Sequence, residues 1–70
     1  MQTTIPALRW HRCETRVPAM LPFVDWYQAA DEADALALAK ADAVNYGVDP
    51  RATFAVRLAT DAESARLSES

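Results

Sequence analysis

The chain has 70 residues, a formal net charge of −3, one cysteine and one glycine. Its length predicts a single domain over residues 1–70 with a thin hydrophobic core, which favours support from a second copy or a partner. A lone cysteine excludes an intrachain disulfide. No apolar run is as long as the stretch of about 20 residues that spans a bilayer. The N-terminus does not resemble a signal peptide. These features predict a cytoplasmic protein without membrane contact.

Charge is distributed unevenly along the chain. Residues 1–24 carry three arginines and one glutamate, residues 25–46 carry five carboxylates and one lysine, and residues 47–70 carry four carboxylates and three arginines. Proteins that bind nucleic acid normally show a basic balance and a clustered basic face. The acidic balance of this chain therefore disfavours nucleic acid as a partner.

The first predicted element is a strand over residues 7–17, preceded by a loose lead-in at residues 1–6. Its two alternating faces are both mixed in character, so the sequence leaves open which of them is buried. Val17-Pro18-Ala19 predicts a turn, because proline presets the backbone. A second strand is predicted over residues 21–27, with Pro22 at its start or at a sheet edge because proline lacks an amide hydrogen.

A helix over residues 32–46 is marked at both ends. Asp31 stands at the N-cap position, and Glu32 and Asp34 place negative charge in the first turn. Gly47, with a proline shortly after it, predicts the end of the helix, since glycine tolerates a left-handed conformation and proline cannot continue a helix. Between these ends, apolar residues recur at helical spacing: Ala33, Leu36, Ala37, Ala41 and Val44.

Alternation over residues 52–59 predicts a third strand. Thr60 and Glu63 have the spacing of a capping box, so residues 60–70 are expected to form a short helical turn through Leu67 or a polar tail.

The strand-strand-helix-strand order (ββαβ) predicts an α+β fold, with a three-stranded, mainly antiparallel sheet and one helix packed on one face. The preferred strand order is 2-1-3, with antiparallel neighbours. In the alternative order, strand 3 pairs beside strand 2 and obeys the right-handed crossover rule. Either arrangement leaves the second face of the sheet for solvent, a second copy or a partner.

His11 and Cys13 come closest to a catalytic pair. On a strand they stand about 6–7 Å apart, given a rise of about 3.3 Å per residue, which is too far for the imidazole to activate the thiol. A half-buried cysteine beside a surface histidine is the preferred interpretation. Two such ligands do not complete a zinc site, and a single glycine excludes a glycine-rich phosphate loop. We therefore expect no enzyme activity, no bound metal and no cofactor.

Aromatic and charged residues supply the candidate site for a protein partner. The candidate partner-binding residues are Trp10, Arg12, Trp26, Tyr27, Asp31, Glu32 and Asp34. Tryptophan, tyrosine and arginine dominate binding hot spots. Trp26 and Tyr27 are adjacent on a strand, so one of them faces the helix and the other faces away. The three carboxylates of the helix start are interpreted first as capping and dipole-compensating groups, with recognition of a basic protein surface as the alternative.

The stretch from Ala29 to Leu58, with its alanine-rich helix, Tyr-Gly-Val-Asp-Pro stop and following strand, resembles a pattern shared by many small β-α-β proteins. Some of these proteins are encoded by bacteriophages and mobile elements and include anti-CRISPR inhibitors. The resemblance implies a non-enzymatic protein-binding module that acts as an inhibitor or adaptor. Two alternatives stay open: a structural module that forms homodimers, and a weak nucleic-acid contact through Trp10, Arg9, Arg12 and Arg16.

Overall fold

The computed structural model describes residues 7–69, so the expected loose lead-in at residues 1–6 lies outside the described residues. Within this range three strands and two helices follow one another along the chain. They are β1 (Arg9–Arg16), β2 (Phe23–Ala29), α1 (Glu32–Asn45), β3 (Thr53–Leu58) and α2 (Asp61–Leu67). The strands form one sheet in the order β2-β1-β3, and β1 is antiparallel to both neighbours. The predicted α+β class and the preferred strand order are confirmed.

A tight turn joins β1 to β2. The Met20 amide donates to the Val17 carbonyl at 3.1 Å, with Pro18 as the second residue of the turn. Ala19, the third residue, has a φ of +64°, in the left-handed region. Pro22 directly precedes β2, which is an edge strand, and this agrees with its predicted place.

Helix α1 begins after the predicted N-cap, Asp31, and ends just before Gly47. The Asp31 side chain accepts a hydrogen bond of 2.9 Å from the Asp34 amide, which confirms the N-cap. At the other end the Gly47 amide donates to the Val44 carbonyl at 3.2 Å, and the Val48 amide donates to the Ala43 carbonyl at 2.8 Å. These two bonds, with Gly47 at a φ of +69°, make a Schellman motif.

The residues whose spacing indicated α1 are not those that the sheet buries most deeply. The buried residues of α1 are Ala35 and Ala39, whereas Leu36 is half-buried and Val44 is 80% exposed. Ala33, Ala37 and Ala41 are also exposed. The helix is apolar on more than one side, so its periodicity does not single out a buried face. Small side chains lie where the helix approaches the sheet.

The core lies between α1 and one face of the sheet. On β1 this face carries His11, Cys13 and Thr15, which are 2%, 0% and 3% exposed. The structure therefore shows which face of β1 is buried, which the sequence left open. It also corrects the expectation of a surface histidine beside a half-buried cysteine, because both side chains are buried beneath the helix. The His11 Nδ1 atom is satisfied by the Arg9 carbonyl oxygen at 2.8 Å.

Helix α2 confirms the predicted helical turn after β3. The Thr60 hydroxyl accepts from the Glu63 amide at 3.2 Å, and the Glu63 carboxylate accepts from the Thr60 amide at 2.8 Å. Both halves of the capping box are therefore present. Neither α1 nor α2, the helices described within residues 7–69, is long and apolar enough to cross a membrane.

Candidate functional site

The face of the sheet that points away from α1 carries the exposed aromatic and basic side chains of β1 and its neighbours. Because side chains alternate along a strand, the residues between the buried positions of β1 point to this face. Register pairing extends the face onto β2 and β3. We call this surface the tryptophan face. It comprises Trp10, Arg12, Glu14, Arg16, Val24, Trp26, Gln28, Thr53, Ala55 and Arg57.

Two tryptophans and an arginine form the centre of the tryptophan face. Arg12 pairs directly with Trp26 across the β1–β2 ladder, and Trp10 is two pairs further along, on the same face. Side chains directly opposite each other have Cβ atoms about 4.5–5.5 Å apart, and diagonal neighbours are about 7–8 Å apart, within reach of aromatic rings. All three side chains are half-buried. The arrangement therefore presents a contiguous aromatic and cationic surface.

Glu14 positions two arginines on the tryptophan face. Its carboxylate lies 2.7 Å from the Arg16 guanidinium and 3.3 Å from that of Arg12. Hydrogen bonds from Arg16 and then from Arg12 lower the pKa of Glu14 below its ordinary value. With Arg57 also on this face, three arginines stand against one glutamate, a formal charge of +2 on a chain whose total is −3.

Helix α2 borders the tryptophan face. From the sequence, this face was expected to contact solvent, a second copy or a partner. Arg57 donates to both carboxylate oxygens of Glu63, at 2.8 and 3.0 Å. Trp26 shares a cavity of about 200 Å³ with Glu63, Arg66 and Leu67 of α2. The C-terminal helix thus lies beside Trp26, so part of this face meets the chain's own α2.

The other candidate residues lie on the α1 side of the sheet. Tyr27 faces α1, and its hydroxyl donates to Asp42 Oδ2 at 2.9 Å. Burial, followed by this hydrogen bond, raises the pKa of Tyr27 above its ordinary value. Asp31, Glu32 and Asp34 are exposed at the start of α1. Of the residues predicted from sequence, the structure brings Trp10, Arg12 and Trp26 together, and separates them from Tyr27 and the three carboxylates.

The residues predicted from the sequence did not include Val24, which flanks this centre on the tryptophan face. Val24 pairs with Glu14 and is 38% exposed, and Arg16 is exposed at the end of β1. Arg16 was named from the sequence for nucleic-acid contact, and the fold places it on the same face as Trp10. Finding Val24 required the register between β1 and β2, which no local pattern supplies.

The arginines of β1 do not form one basic cluster. Arg9 is separated by an odd number of positions from Arg12 and Arg16, so it lies on the α1 side while the other two lie on the tryptophan face. This placement weakens the arrangement on which nucleic-acid contact would depend.

His11 and Cys13 share the face that α1 covers, where solvent is excluded. Burial raises the pKa of the Cys13 thiol, against the opposing effect of a hydrogen bond with Thr15, and the charge of Asp25 raises it further. A raised pKa favours the thiol over the nucleophilic thiolate. Across residues 7–69, no group of three or more histidine, cysteine, aspartate or glutamate side chains is arranged to hold a metal ion.

Comparisons with protein families, with curated proteins and with solved structures found no match to this chain. The functional assignment therefore depends on the geometry of its own surfaces.

Proposed function

We propose that this protein is a non-enzymatic binding module that engages another protein through the tryptophan face, as an inhibitor or adaptor. One observation carries the proposal: Trp10 and Trp26 lie diagonally across a strand pair, with Arg12 directly opposite Trp26. Tryptophan and arginine are the residue types most enriched in binding hot spots, where a few central side chains supply most of the binding energy. The resemblance of residues 29–58 to small phage and mobile-element proteins is consistent with this role.

The chemistry of the tryptophan face indicates the kind of surface that would complement it. The two indole rings favour an apolar depression, and the arginine excess favours carboxylates around it. Glu14 holds Arg12 and Arg16 in place before binding, which reduces the entropy lost when a partner orders them. We therefore expect a partner whose contact surface is apolar at its centre and acidic at its rim.

A matched pair of substitutions tests the proposal. Val24→Asp places a carboxylate on the tryptophan face, and Val44→Asp makes the same change on the outer side of α1. Both valines are exposed, at 38% and 80%, so neither change buries a charge. Each tagged variant and the wild-type protein are used to capture proteins from an extract of the host cell, with quantitative mass spectrometry of the bound fraction.

The proposal expects a protein that is enriched on the wild type and on Val44→Asp and lost on Val24→Asp. Circular dichroism of both variants establishes that each is folded. Equal capture by the two variants, or no protein above background on the wild type, would count against the tryptophan face as the binding surface.

A homodimer is the second candidate, favoured by the two open edges of the sheet. β2 and β3 each pair only with β1 among the described residues, so their outer edges are free to pair with a second copy. Light scattering coupled to size exclusion over a concentration series tests it. A dimer mass that persists on dilution supports this candidate, and a monomer mass at every concentration excludes it.

A further inference from the structure

A cleft on the α1 side of the sheet is lined by aromatic rings and carboxylates. It lies between the C-terminal half of α1 and the sheet, has a volume of about 370 Å³, and is open to solvent. Its aromatic lining is Phe23, Tyr27, Tyr46 and Phe54, and its carboxylates are Asp25 and Asp42. We call it the acidic aromatic cleft. Its volume is at the lower end of the range, about 300–1,000 Å³, that small-molecule sites occupy.

The sheet register explains why the rings stand around an open space. Thr15 on the central strand pairs with Phe23 on one side and with Phe54 on the other. Adjacent strands are about 4.8 Å apart, so the backbones of the two phenylalanines are about 10 Å apart across the small Thr15 side chain. Tyr46, at the C-cap of α1, also lines the space. Two aromatic walls with a small residue between them leave room for a compact ligand.

The charges of the acidic aromatic cleft have one sign. Asp25 and Asp42 line it, and no lysine, arginine or histidine of residues 7–69 does. Asp25 is exposed and takes part in no ion pair with any residue from 7 to 69. After burial and the hydrogen bond to Asp42, the negative charge of Asp25 is the next cause that raises the pKa of Tyr27. The cleft is therefore suited to a positive ligand.

We propose that the acidic aromatic cleft binds a small organic ammonium ion. Aromatic faces attract cations through the ring quadrupole within about 6 Å, and carboxylates supply the opposite charge. A metal ion fits this lining less well, since four of these six side chains are aromatic and only two are carboxylates. The inference is independent of the proposed protein-binding function, because the cleft and the tryptophan face lie on opposite sides of the sheet.

Nuclear magnetic resonance titration of the 15N-labelled protein with choline and with n-butylammonium tests the inference. We expect saturable shifts centred on Asp25, Tyr27 and Phe54, with a dissociation constant on the order of 1 mM for at least one of the two cations. 3,3-Dimethyl-1-butanol, a neutral molecule with the shape of choline, is the ligand control and should bind several-fold more weakly.

Two substitutions complete the test. Asp25→Asn should weaken cation binding several-fold, and it is expected to fold because the side chain is exposed. Asp61→Asn, in α2, makes the same charge change away from the cleft and should leave binding unchanged. The inference is overturned if neither cation saturates, if the neutral control binds equally well, or if Asp25→Asn binds as tightly as Asp61→Asn.

Discussion

Among residues 7–69, two residues hold their backbone in the left-handed region, one a glycine and the other an alanine. Gly47 has a φ of +69° at the end of α1, and Ala19 has a φ of +64° in the turn between β1 and β2. Glycine adopts this conformation freely, whereas a Cβ atom makes it cost about 1–2 kcal/mol. Glycine therefore suits the conformation at position 47, whereas alanine is strained at position 19.

Exchanging the two residue types tests this difference. Gly47→Ala should lower the free energy of unfolding by about 1–2 kcal/mol. The cost is conformational, because a Cβ at Gly47 would meet no atom of the described residues within 4 Å. Ala19→Gly should raise the free energy of unfolding by about 0.5–1 kcal/mol, since relief of strain exceeds the entropy that glycine adds to the unfolded chain. Urea unfolding at neutral pH measures the free energy of unfolding of both variants. A change of the opposite sign in either variant would contradict the backbone conformation described at that residue.

Single residues also show what sequence could and could not predict. Asp31, Gly47 and Thr60 were identified correctly as helix boundaries because caps act through local hydrogen bonds that a few neighbouring residues determine. The burial of His11 was not predicted. A histidine is buried only when its ring nitrogens find partners, and here that partner is the Arg9 carbonyl oxygen, which the sequence does not reveal.

At the scale of elements, one glutamate, Glu63, connects α2 to strand β3 of the sheet. Glu63 accepts two hydrogen bonds from Arg57 of β3 and one from the Thr60 amide. The hydrogen bonds from Arg57 and then from the Thr60 backbone lower the pKa of Glu63 from its ordinary value of 4.5 to about 2. One carboxylate therefore caps α2 and joins it to β3.

The attachment of α2 should therefore depend on pH. A pKa lower in the folded than in the unfolded state means that the Glu63 carboxylate stabilises the fold fully above pH 4.5, and that this contribution is lost as the pH falls towards about 2. Carbon-detected nuclear magnetic resonance of the Glu63 carboxyl measures its pKa, and the amide signals of α2 report the pH at which α2 detaches. Glu63→Gln should remove this part of the pH dependence. A Glu63 midpoint near 4.5 would contradict the described contact.

The elements also explain why strand and helix faces were harder to predict than their positions. The buried face of β1 carries His11, Cys13 and Thr15, and the opposite face carries two arginines and a tryptophan, so hydropathy does not separate them. In α1 the buried positions are alanines, and alanine also occupies the outer side. Which face is buried follows from tertiary packing and register, which local periodicity does not encode.

At the scale of the whole molecule, the sheet separates two surfaces of different charge. The tryptophan face carries three arginines and one glutamate. The α1 side carries two cations, Arg9 and Lys40, and five carboxylates: Asp25, Asp31, Glu32, Asp34 and Asp42. A chain with a net charge of −3 thus presents a locally basic surface where its tryptophans lie. Such asymmetry favours one orientation of approach to an acidic partner surface. The sequence showed the charge blocks, but only the fold places them on opposite sides.

The most direct test uses the tryptophans themselves, because both tryptophans of the chain, Trp10 and Trp26, lie on the tryptophan face. Acrylamide quenching of tryptophan fluorescence is measured in the free protein and in its complex with the captured partner, with the partner's own emission subtracted. The proposed function predicts a clear fall in quenching on complex formation, and the same fall for Val44→Asp. A complex that forms with the quenching of Trp10 and Trp26 unchanged would contradict the assignment of this face.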